Sequence, residues 1–175
     1  MNIVILGNRQ IELPGVLHRT FSKYGAVLTT GDGALHCEAS RAGYNIFCVT
    51  HPLKIDIPGC LVIFNTNDIC PFVSINSDAL CIVDSGDAHA LSLLKKSGNT
   101  AVCCGMSSKD TFCISSLDEG SAVVSLMRHI DIPPLSFDPG DITVTLTCPT
   151  PAFSILCASA SLLLSGISSE NGFFV

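Results

Sequence analysis

The sequence predicts one three-layer α/β domain over residues 1–175, with a mainly parallel sheet, helices on both faces and a β-hairpin plus helix at the C-terminal end. Three observations predict it. Short apolar runs of strand length alternate with helix-length segments that stop at glycines, and such alternation implies strand–helix–strand crossovers. The composition is 47% hydrophobic and only 14% charged, the skew expected when strands are buried on both faces, and one that an extensive self-association surface would also give. Finally, a chain of 175 residues with no internal repeat and no low-complexity linker suits a single domain of roughly 100–200 residues.

Residues 2–6 read as the first strand. A helix over 14–24 follows, with Pro14 in its first turn, Val16, Leu17, Phe21 and Tyr24 near helical spacing, and Gly25 as the stop. Residues 26–30 read as a strand, and 33–42 as a short helix, although 35–39 also suit a strand. Strands are expected over 44–50, after the Pro-rich connection 52–58 over 60–65, and again over 79–83 and 100–104, with a helix over 88–96 between the last two. Lys95 and Lys96 in that helix's last turn and Gly98 just beyond are stop signals. Two runs, 112–117 and 122–129, flank Asp118-Glu119-Gly120-Ser121 as a hairpin, and 142–147 reads as a third strand beside them. Thr150 is an expected N-cap with Pro151 at N1, opening a helix to about Ser165. That helix is apolar or small on every side, which predicts full burial.

Charge excludes two classes of partner. The net charge is −6 and no basic cluster exceeds Lys95-Lys96, so nucleic acid is not an expected ligand. An anionic membrane surface is disfavoured for the same reason. The longest apolar stretch, 152–164, is well short of the roughly 20 residues of a spanning helix. Residues 1–7 read as a strand, not a signal peptide. A cytoplasmic protein is expected.

The ten cysteines stand at 37, 48, 60, 70, 81, 103, 104, 113, 148 and 157, with no C-x-x-C among them. Zinc sites usually pair ligands about two to four residues apart, so neither a metal nor a disulfide framework is predicted. Most of these cysteines sit in apolar runs, where a thiol is a small hydrophobe. Cys103 and Cys104 should point to opposite faces of their strand.

Four segments resemble the central, ATP-binding domain of the Mur ligases, the amide-forming enzymes of peptidoglycan assembly. They are the opening strand, loop and helix from Ile3 to Gly25; Phe64-Asn65-Thr66-Asn67-Asp68; Cys81-Ile82-Val83-Asp84-Ser85 with its helix and the strand to Gly105; and the closing hairpin and helix. The resemblance implies a Rossmann-like or P-loop-like sheet. The family's loop reads G-T-x-G-K-[ST]-[ST]. Aligned on Gly7, this sequence gives Asn8, Arg9, Gln10, Ile11, Glu12 and Leu13, with Ile11 at the lysine and Glu12 at the Mg²⁺-binding hydroxyl. A phosphate cradle needs Gly-rich backbone N–H groups, the lysine and that hydroxyl. The departures imply a reduced relative that has lost ATP-dependent ligation and needs no cofactor.

In open α/β sheets ligands bind beyond the carboxyl ends of the strands. That places candidate ligand-binding residues at Asn8, Arg9 and Gln10, at Asn65, Thr66, Asn67 and Asp68, and at Asp84, Ser85 and Asp87, with Thr50, His51, Ser107, Ser108, Lys109 and Asp110 on the same rim. Asp84 and Asp87 could hold a divalent cation with Asp68, but a helix-capping role for Ser85 or Asp87 is preferred. His18 in the first helix, His89 and His129 form no readable triad, and His36-Cys37 has no neighbours in sequence. The functional expectation is a non-catalytic small-molecule-binding or assembly module. The alternative is a small enzyme or metal-dependent binder using the acidic face. A homodimer is also expected, because Phe173-Phe174-Val175 is an apolar tail after a polar stretch.

Overall fold

The computed structural model describes residues 1–31, 43–50, 54–66 and 74–175. The alternatives over 33–42 therefore lie outside the described residues, as do His36, Cys37, His51, Asn67, Asp68 and Cys70.

In chain order the elements are β1 (Asn2–Leu6), α1 (Leu13–Phe21), β2 (Val27–Thr30), β3 (Tyr44–Val49), β4 (Lys54–Ile55), β5 (Leu61–Phe64), β6 (Ser74–Ile75), β7 (Leu80–Asp84), α2 (Ala88–Ser97) and β8 (Thr100–Gly105). They continue with β9 (Phe112–Leu117), β10 (Ser121–Leu126), β11 (Ile130–Ile132), β12 (Leu135–Phe137), β13 (Gly140–Thr145), α3 (Ala152–Leu164) and β14 (Phe173–Phe174). Ten strands form one sheet in the order β14-β13-β10-β9-β8-β7-β5-β1-β3-β2. From β2 to β9 every pairing is parallel, while β9–β10 and β10–β13 are antiparallel.

The sheet is buried on both faces by alternate residues of the same strands. Ile3, Ile5, Leu61, Ile63 and Ile82 pack with α1 and α3. Val4, Leu6, Val62, Phe64, Cys81 and Val83 pack with α2 on the other side. This gives the three layers that the apolar runs predict. Cys104 belongs to the first cluster and Cys103 borders the second, so the vicinal pair does straddle the sheet.

β9 overlaps β8 at only two positions, Cys104↔Phe112 and Gly105↔Cys113. The antiparallel strands thus join the parallel part of the sheet through a short overlap, and α3 packs on β7, β8, β9 and α1. The far end of the antiparallel strands meets α1, where the Arg19 guanidinium donates to Cys148 Sγ at 3.2 Å and Lys23 lies over the Phe174 ring. Packing in one core cluster with α1 and with residues of β9, β10, β13 and β14 accounts for the burial of residues 153–164 of α3.

Several expectations need correction. The N-cap of α3 is Pro151 in extended conformation (φ −60°, ψ 145°), with no side-chain cap. The Thr150 hydroxyl instead turns back to the carbonyl of Cys148 at 2.9 Å. His129 is not in a strand, because β10 ends at Leu126; its ring meets Asp138 at 3.0 Å beside the β11–β12 hairpin. The tail is not a free apolar surface. It pairs with β13 as β14, burying Phe173 and Val175 in the chain's own core, so the tail does not support self-association. The short β4, β6, β11 and β12 have too few residues to show a sequence period.

Candidate functional site

The strand order reverses around β1, with β3 on one side and β5 on the other. The crevice beyond these carboxyl ends is where a ligand is expected in such sheets. The protein's own loop is packed into it. Gly7, at φ 91°, turns the chain off β1, and a Cβ there would lie 2.6 Å from the Asn65 carbonyl oxygen. Only glycine fits that approach without strain.

Asn65, fully buried at the end of β5, holds the loop at three points. Its carbonyl accepts from Arg9 N at 2.8 Å, its Oδ1 accepts from Gln10 N at 2.9 Å, and its Nδ2 donates to the Gln10 carbonyl at 3.1 Å. Gly7 N donates to the Val49 carbonyl at the end of β3 at 2.8 Å. From the helix side, the hydroxyl of buried Ser154 donates to Gln10 Oε1 at 2.7 Å. Asn8 and Ile11 are exposed, and Ile11 is 85% accessible.

The Arg9 side chain crosses to β7, where its Nη1 meets Asp84 Oδ2 at 2.9 Å. The other carboxylate oxygen of Asp84 accepts from Gly86 N at 2.9 Å. Asp87 Oδ1 accepts from His89 N and Ala90 N, so its carboxylate caps α2 as the preferred reading holds. Beyond β8, nearly buried Asp110 accepts from Ser107 N at 2.9 Å. Gly105 has no room for a side chain, because the Asp110 carboxylate and the Ser85 hydroxyl both press against that position.

Asn8, Arg9, Gln10, Asn65 and Thr66 thus form one group across β1 and β5, joined to Asp84 through Arg9. Ser85 belongs with Gly105 and Asp110 instead. Ser154 escapes the sequence reading, since a serine inside an apolar helix carries no sign of its tertiary partner. Among the described residues no group of three His, Cys, Asp or Glu side chains is placed to hold a metal.

Nearby thiols are poor nucleophiles. Burial, then Cys103, Asp110 and Asp84, raise the Cys104 pKa far above the ordinary thiol range. Burial, then Cys104 and Asp84, do the same to Cys157. Cys60, Cys81, Cys103, Cys104, Cys113, Cys148 and Cys157 are free thiols. A pocket of about 230 Å³ lies away from this rim, between Phe137, Asp138, Asp141 and Leu163. Among the described residues no helix is long and apolar enough to cross a membrane.

No family model matches the sequence, and no curated protein matches it. Solved structures do match. A MurF ligase from Thermotoga maritima, determined in complex with ADP, aligns over 97% of this chain with a TM-score of 0.55 and 9% sequence identity. The chain spans 46% of that ligase's length. The likeness is one of fold: the α/β sheet with its flanking helices is Mur ligase-like.

Proposed function

We propose that this chain is a Mur ligase-like domain that has lost ATP-dependent ligation and serves as a small-molecule-binding or assembly module. One observation carries the reading. The main-chain N–H groups of Arg9 and Gln10, which a phosphate-binding loop would turn toward its ligand, are both bonded to Asn65. Exposed Ile11 stands where a phosphate-binding lysine would be, which removes a charge-assisted contact worth about 1.5–3 kcal/mol. Glu12 adds a carboxylate that repels a triphosphate.

The acidic-face alternative has less support, because Asp84 is paired with Arg9 and Asp87 is engaged at the start of α2. In the preferred reading the domain works in the cytoplasm without a cofactor, and its partners are a small molecule at the strand ends and a second copy of itself. Titration calorimetry with Mg-ATP tests it. No heat of binding is expected at tens of micromolar, and a micromolar Kd would sink the proposal. A thermal-shift screen against cell-wall precursors then searches for the ligand.

A further inference from the structure

We propose that β2 is a self-pairing edge through which two copies of the chain join their sheets about a twofold axis at Leu28. The inference rests on the assembly half of the reading above and names its surface. β2 ends the ten-stranded order, and among the described residues no strand pairs with its outer side. Edges of this kind are normally blunted by a charge, a proline or a bulge. Val27-Leu28-Thr29-Thr30 carries none of these, and its register with β3 is unbroken.

The hydrogen-bond parity can be worked out from one contact. Tyr44 N donates to the Ala26 carbonyl at 2.8 Å. Alternation along a parallel pair then turns the main-chain groups of residues 26, 28 and 30 toward β3 and those of Val27 and Thr29 outward. Two outward residues flanking one inward residue make a self-complementary antiparallel edge. Val27 of one copy and Thr29 of the other exchange both of their bonds, and the same pair repeats across the axis. Leu28 meets its own equivalent in the close, non-hydrogen-bonded position. It is 39% exposed in the single chain, one of few large apolar side chains left in water. Thr29 is held in place from below by His18, whose Nδ1 lies 2.9 Å from Thr29 Oγ1.

Light scattering on the whole chain at low micromolar concentration tests the inference, with two variants. Leu28→Lys sets two like charges against each other on the axis. Thr29→Pro removes an outward N–H that makes no bond among the described residues. The unmodified chain should run at twice 18.4 kDa, and both variants at half that mass with melting temperatures within a few degrees of the parent. A monomeric parent overturns both this inference and the assembly half of the function. A dimeric parent that both folded variants leave intact overturns only the assignment to β2.

Discussion

A single buried amide decides what the loop after β1 can do. Asn65 presents an acceptor and a donor to Gln10 in opposite senses, a pairing that neither Asp nor Leu could reproduce. The sequence shows the residue, since Asn65 sits at a strand end, but not its target, because the two lie 55 positions apart. The thiols give a test at the same scale. Burial and then Asp78 push Cys60 up to about 11, against a smaller opposing effect of a backbone hydrogen bond. Burial and then Cys60 push Cys81 up to about 12. An unfolded thiol titrates near 8.5. The folded state therefore holds its protons where the unfolded chain loses them, and each unit of difference is worth about 1.4 kcal/mol. This stabilisation is complete below the unfolded value and fades as pH climbs from about 9 toward the folded values. Urea unfolding from pH 8 to 11 should show the fall, and Cys81→Ala should make it shallower. Identical slopes for the two proteins would refute the account.

At the scale of the element, α2 is the cleanest case of sequence dictating structure. Asp87 accepts from two of its orphan N–H groups, and Gly98 closes it at φ 76°, donating to the Leu94 carbonyl. Replacing Asp87 by Ala should cost about 0.5–2 kcal/mol while leaving the strand ends in place. Equilibrium denaturation measures this directly, and an unchanged midpoint would mean that the cap contributes nothing. The same reasoning from caps fails at α3. Thr150 looks like a cap, but Pro151 already fixes an extended entry to the helix, and the hydroxyl turns to Cys148 instead. β1, β5 and β7 were legible because each is an apolar run covered on both sides. β11, β12 and β14 were not, since two or three residues carry no period, and pairing partners supply their conformation. The candidate site was legible as a location, from strand ends alone. Its bonding was not, because it joins β1, β5, β7 and α3 across the whole chain.

The molecule as a whole is organised around α3, which has no polar face and would be unstable against water. Its burial on every side is met by α1, by β7, β8 and β9, and by the core side chains of β10, β13 and β14. The last strand closes this enclosure. Phe173 and Val175 are fully buried, Val175 N donates to the Thr145 carbonyl at 2.9 Å, and the Thr147 N–H and hydroxyl both donate to the Val175 oxygen. Low surface charge follows from the same plan, since a chain that covers both faces of a sheet and all of a helix has few positions left for charged groups. Removing residues 173–175 should therefore open the enclosure. Burying each of the two side chains is worth about 1.5–3 kcal/mol, so the truncated chain should lose roughly 3–6 kcal/mol, a large part of the about 5–15 kcal/mol that holds a typical domain. Denaturant titration would measure the loss, and binding of a hydrophobic dye would show whether α3 becomes accessible. If the truncated chain melted at the parent's temperature and bound no dye, the enclosure would not depend on β14.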